Sequence, residues 1–77
     1  MELWASGEDN LEAVLILGQR MKQVRAIDVA QYLGYAKTSV SHGLRLLRQG
    51  GFLTRDADGY LYLTEAGQET AVSVRWR

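Results

Sequence analysis

The residues best suited to chemistry lie in one run near the middle of the chain. Lys37, Thr38, Ser39, Ser41, His42, Arg45 and Arg48 each donate a hydrogen bond or carry positive charge, and no acid occurs from Val29 to Arg55. Side chains of these types recognise phosphates and base edges rather than catalyse a reaction. On a helix, Val40, Leu44 and Leu47 recur at i, i+4 and i+7 and turn inward. The polar residues then share the opposite face. The start of such a helix reaches base edges, and its later cations hold phosphates. Thr38, Ser39, Ser41 and His42 are therefore assigned to bases, and Lys37, Arg45 and Arg48 to the DNA backbone, with Arg25 and Tyr35 placed to flank the same groove. A solvated polar face is the plainer reading of the same pattern. His42 has no second ligand among its helix neighbours Thr38, Ser39, Arg45 and Leu46, so a base or phosphate contact suits it better than a metal.

Total charge points the other way until it is divided along the chain. The formal net charge of the 77 residues is zero, and a nucleic-acid binder usually shows a basic excess. Residues 1–12 carry −4 (Glu2, Glu8, Asp9, Glu12), residues 13–55 carry +6, and residues 56–77 carry −2. A basic centre sits between two acidic ends. With no cysteine and a single histidine, the chain offers no disulfide framework, no thiolate zinc site and no Cys nucleophile. No nucleophile–base pair or small-molecule site is placed by any motif, so an enzyme is not expected. No apolar run approaches the ~18 residues that a membrane span requires, and there is no signal-peptide profile. A cytoplasmic protein is the default expectation.

Six elements must position the polar run. Ser6 and Asp9 stand like a capping box at the start of a first helix, whose stripe is Leu11, Val14, Leu15, Leu17 and Met21. The basic residues Arg20, Lys22 and Arg25 close it. Val24-Arg25 is read as a very short strand. A second helix follows, about Ile27 to Leu33, with Ile27, Ala30 and Leu33 on one face, and Gly34 suits its left-handed end. The third helix opens at about Lys37–Ser39 and runs to Gln49, where Gly50-Gly51 stops it. Gly43 interrupts it at a cost of roughly 1 kcal/mol relative to Ala, which close packing or close approach to DNA would explain. Residues 52–55 and 60–63 are strand-like around Asp56-Ala57-Asp58-Gly59, a hairpin signal. Asp56 and Asp58 at its tip oppose phosphate and leave Arg55 as the only cation there, so the hairpin is expected to add stability more than affinity. Thr64 caps a last helix, about Glu65 to Trp76.

Helix, helix, tight turn, helix, hairpin, helix is the order of a winged helix-turn-helix, mainly α with a small β-hairpin. Residues 1–77 make one such domain. At 47% hydrophobic the chain can build a core, although a domain this small buries only about 60% of its unfolded surface.

The segments Ser6-Gly7-Glu8-Asp9-Asn10-Leu11-Glu12, Val24 to Gly34, Ser39-Val40-Ser41 and Leu63-Thr64-Glu65-Ala66-Gly67 together resemble the diphtheria-toxin-repressor family. These are metal-dependent transcriptional repressors that include manganese-responsive regulators. The resemblance covers about residues 5–77 and corresponds to the family's N-terminal DNA-binding domain only. It implies double-stranded DNA as partner, a homodimer in the intact protein, and Mn²⁺ or Fe²⁺ as cofactor. Asp9 and Glu12 fall on two metal-ligand positions of the manganese-responsive members. Aligned on Thr64 and Gly67, the family's next ligand, a His, would follow Arg77, and the dimerisation helices would lie further on. The resemblance thus implies a partial site, with no metal held by this chain alone. Read without the resemblance, the two acids complement the dipole of the first helix. The alternative functions are a winged-helix protein-interaction module without DNA binding and a winged-helix regulator that does not respond to metal.

Overall fold

The computed structural model describes residues 5–75, with side chains from Gly7 onward. The element order is α1 (Ala5–Arg20), α2 (Ala26–Leu33), α3 (Lys37–Gln49), β1 (Leu53–Arg55), β2 (Leu61–Leu63) and α4 (Glu65–Arg75). Helix α1 is already underway at Ala5, and the Ser6 side chain expected to cap it lies outside the described residues, as does Trp76 at the far end.

Helix α1 is the centre of the molecule. Leu11, Ala13, Val14, Leu15, Ile16 and Leu17 are all buried, so apolar contact surrounds most of the helix rather than one stripe. Helices α2, α3 and α4 and strand β2 all pack on it. Each large aliphatic side chain buried there contributes about 1.5–3 kcal/mol, which a domain of this size needs. Met21 falls outside this core: α1 ends at Arg20, and Met21 is 36% exposed.

Helix α2 begins one residue earlier than its sequence pattern indicates, and of the face expected to turn inward only Ile27 stays out of the core. Val29 and Ala30 enter the core, with Ala26 and Leu33 packed against it, while Ile27 is 42% exposed. Asp28 accepts a hydrogen bond from the Arg25 backbone N–H (2.9 Å), which fixes the start of the helix. Gly34 ends it at φ 72°, a left-handed conformation that only glycine adopts without strain. Val24-Arg25 is not a strand. The Val24 carbonyl instead accepts a single hydrogen bond from the Leu61 N–H (2.7 Å), too little to make a ladder but enough to tie the hairpin to the start of α2.

Helix α3 turns Val40, Leu44 and Leu47 inward, as its spacing requires. Gly43 is buried beside them, and packing accounts for it: a Cβ there would collide with the Asn10 side-chain nitrogen of α1. Asn10 is 1% exposed, and its Oδ1 has no hydrogen-bond partner among the described residues.

The hairpin pairs Leu53 with Leu63, Thr54 with Tyr62 and Arg55 with Leu61 in antiparallel register. Its turn is organised by Asp56, whose carboxylate accepts the Asp58 N–H (3.0 Å), the Tyr60 N–H (2.9 Å) and the Tyr62 hydroxyl (3.1 Å). The bond from the Tyr60 backbone is the main reason its carboxyl is held below the ordinary 3.8. Thr64 joins the hairpin to α4. Its hydroxyl donates to the Gly51 carbonyl (2.7 Å) and accepts the Gly67 N–H (3.1 Å), which caps the helix as its position indicates. Gly67 is required because a Cβ there would run into the Phe52 carbonyl.

Glycine substitutions in two helices should therefore have opposite signs. Gly67→Ala is expected to destabilise by at least about 1–3 kcal/mol, because backbone must move to admit the methyl group. Gly18→Ala in α1, where nothing lies within 4 Å, is expected to stabilise by about 0.5–1 kcal/mol. Urea unfolding of the two variants beside the parent measures both. A second expectation concerns Asp56. A carboxyl lowered in the folded state contributes stability fully above its ordinary value of 3.8, and loses it as pH falls through the lowered value. The difference in stability between the parent and Asp56→Ala should be constant near neutral pH and shrink below pH 3.8, which denaturant titration at several pH values would show.

Candidate nucleic-acid interface

With one side of α3 committed to the core, its other side is open. Lys37, Thr38, Ser41, His42 and Arg45 are exposed, and Arg48 is half-buried. Together with Arg55 from β1, these residues line a shallow groove along the helix, and no acidic side chain lines it. Ala36, at the N-cap before Lys37, gives the helix no side-chain cap, so its first N–H groups add their positive end to the charge of Lys37. The Arg45 guanidinium lies 3.5 Å from His42 Nδ1, one turn apart on the same face, a long contact that leaves both side chains available.

A second cleft, about 330 Å³, opens beside the first between α3, the start of α2 and the hairpin. Arg25, Lys37, Arg48 and Arg55 surround it, with Asp58 the one acid on its lining. Its floor is Ala26, Ile27, Leu44 and Leu61. The exposure of Ile27 is explained by this position: it faces the cleft instead of the core. Lys37, Ser41, Arg48 and Arg55 line both depressions, so the two form one continuous basic surface.

Most of the residues singled out from the sequence are brought together here: Arg25, Lys37, Thr38, Ser41, His42, Arg45 and Arg48. Ser39 is exposed but lines neither depression. Tyr35 is not a flank of the groove. Its hydroxyl donates to Asp9 Oδ2 (2.8 Å), and that bond, with the charge of Asp9, holds the phenol above its ordinary 10.0. Tyr35 thereby fastens the turn between α2 and α3 to helix α1.

Arg55, the cation of the hairpin, is the main residue that the structure adds to the groove. Strand alternation places it on the same face as Leu53, and its cross-strand partner is Leu61; both leucines are buried. At the end of a strand, that inner face overhangs the cleft rather than the solvent side of the sheet. The two-residue period was the signal that could have revealed this. The Asp56 carboxylate at the hairpin tip is engaged three times within its own turn, and these bonds keep it ionised.

The acidic pair on α1 does not fit a tight transition-metal site among the described residues. Asp9 and Glu12 share a helix face at i, i+3, but one Asp9 oxygen already accepts the Tyr35 hydroxyl. No group of three His, Cys, Asp or Glu side chains among the described residues could hold a metal ion.

No model of a known protein family and no curated protein matches the chain. A solved structure does: a transcriptional regulator from Thermotoga maritima, 28% identical, with a TM-score of 0.76 over 96% of this chain and 53% of that one. The chain spans about half the length of that regulator. The similarity supports the class of transcriptional regulators but not the diphtheria-toxin-repressor family in particular. Four helices and a two-stranded hairpin, in this order and over nearly the whole chain, make the fold a winged helix of the kind found in a transcriptional regulator.

Proposed function

We propose that this domain binds double-stranded DNA by laying α3 in the major groove, as the DNA-binding part of a transcriptional regulator. The observation that carries the reading is the acid-free groove along α3, edged by Arg55 and continuous with the cleft that Arg25 enters. Thirteen helical residues span about 20 Å, and the major groove, about 12 Å wide, admits a helix of this diameter. Thr38, Ser41 and His42 belong to the first turns and face base edges. Arg45 and Arg48, further along, are assigned to phosphates. A single domain binds weakly and largely through phosphates, so a homodimer with two α3 helices about one helical turn apart would supply the affinity and the half-site spacing. Nothing in this mechanism is enzymatic, and no helix among the described residues is long and apolar enough to cross a membrane.

Metal control is a separate proposal, resting on the resemblance and on Asp9 and Glu12 standing one turn apart. Oxygen donors suit Mn²⁺. Two carboxylates are too few to select it, so ligands from elsewhere would have to complete the site.

The DNA reading is tested by fluorescence anisotropy with a labelled duplex of mixed sequence. The parent should bind with Kd of about 10⁻⁶–10⁻⁴ M near physiological salt, tighter at lower salt. The double substitution Arg45→Ala, Arg48→Ala should weaken low-salt binding at least about tenfold and reduce the slope of log K against log salt by about 1.8. Equal binding by parent and variant would falsify the assignment of α3, and absence of binding by the parent would favour a protein-interaction module. For metal, calorimetric titration of the 77-residue chain with Mn²⁺ should show no dissociation constant at or below about 10⁻⁶ M. Tighter binding would show that this chain carries a complete site.

A further inference from the structure

We infer that Tyr60 is a positioning residue, which holds the Arg25 guanidinium in the cleft between α3 and the hairpin, where Arg25 takes one DNA backbone phosphate beside Arg48 and Arg55. The inference rests on the DNA-binding reading and adds to it a site outside α3.

The Arg25 guanidinium carbon lies 4.5 Å from the centroid of the Tyr60 ring, within the range of a cation–π contact. A free arginine side chain samples many rotamers and must be ordered to bind, whereas one already stacked loses less freedom on meeting its ligand. The backbone on either side of this contact is fixed as well. Asp28 accepts the Arg25 N–H (2.9 Å), and the Val24 carbonyl accepts the Leu61 N–H (2.7 Å), so residues 24–25 and 60–61 are held as a pair. Arg25 therefore enters the cleft from a rigid support.

The chemistry of the cleft favours a phosphate. Arg25, Lys37, Arg48 and Arg55 surround it against Asp58 alone, so an anion is attracted. Guanidinium groups present planar forks of N–H donors that match phosphate oxygens. The position favours a phosphate of the DNA that α3 reads. Lys37, Ser41, Arg48 and Arg55 line both the cleft and the α3 groove, so a strand leaving the groove on the hairpin side passes directly over Arg25. The hairpin thus contributes by Arg55 and Tyr60, the residues that flank its turn.

The test compares Arg25→Ala, Tyr60→Leu, Tyr60→Phe and the double variant Arg25→Ala, Tyr60→Leu with the parent. Each is titrated with the same mixed-sequence duplex from about 50 to 200 mM salt, and thermal melting checks the fold. Arg25→Ala should lower the salt slope by about 0.9, one phosphate contact. Tyr60→Leu should weaken low-salt binding about two- to fivefold, and Tyr60→Phe, which keeps the ring face, should bind like the parent. Tyr60→Leu should add nothing in the Arg25→Ala background, which a merely structural role for the ring would not produce. An unchanged salt slope in Arg25→Ala overturns the inference. So does a Tyr60→Leu effect that persists without Arg25, or Tyr60→Phe binding as weakly as Tyr60→Leu. If Tyr60→Leu melts early, the salt slope of Arg25→Ala and the binding of Tyr60→Phe still decide. Loss of binding in Arg45→Ala, Arg48→Ala with an unchanged slope in Arg25→Ala would sink this inference alone, whereas a parent that binds no duplex would sink the DNA reading with it.

Discussion

Burial of α1 on nearly every side is the constraint from which the remaining arrangement follows. A chain of this length cannot form two cores, so the aliphatic residues from Leu11 to Leu17 must serve α2, α3, α4 and β2 together. An element packed against one central helix buries one face and leaves the other free. For α3 the buried face is Val40, Gly43, Leu44 and Leu47, and the free face is the basic, hydroxyl-bearing one. The interface is thus a by-product of how the core is filled. Gly43 and Asn10 set how closely α3 approaches α1, and Tyr35, through Asp9, pins the turn before α3 to the same helix. Recognition by base edges requires a helix held rigidly, and these contacts hold both the start and the middle of α3.

The second organising feature is the pairing of residues 24–25 with residues 60–61. One backbone hydrogen bond and one guanidinium–ring contact link the hairpin to the start of α2. Two strands of three residues are marginal on their own, so the hairpin needs this attachment and the capping of α4 by Thr64 to have a fixed orientation. Fixing it also fixes Arg55 over the cleft.

Charge is distributed to match. Asp28, the one acid between residues 13 and 55, holds the backbone of Arg25. Asp56 organises the hairpin turn, and Asp9 holds the Tyr35 hydroxyl. The neutral total therefore hides a basic groove along α3 that no acidic side chain lines. Only the local field over the groove matters to an approaching polyanion within a Debye length of about 10 Å.

Periodicity by itself determined the element order, the inward face of α3, the left-handed Gly34, the hairpin and the Thr64 cap, because each rests on residues close in the chain. The polar run from Lys37 to Arg48 was legible for the same reason: a helix places its own residues at fixed angles. Only the tertiary structure decided which residues from other elements join that face. Arg55 and Tyr60 enter through strand pairing, Ile27 turns to the cleft because Val29 takes the core, and Tyr35 leaves the groove for Asp9. Tyr35 and Asp9 lie 26 positions apart, and Arg25 and Tyr60 are separated further still. No local period links positions that far apart; packing on α1 does.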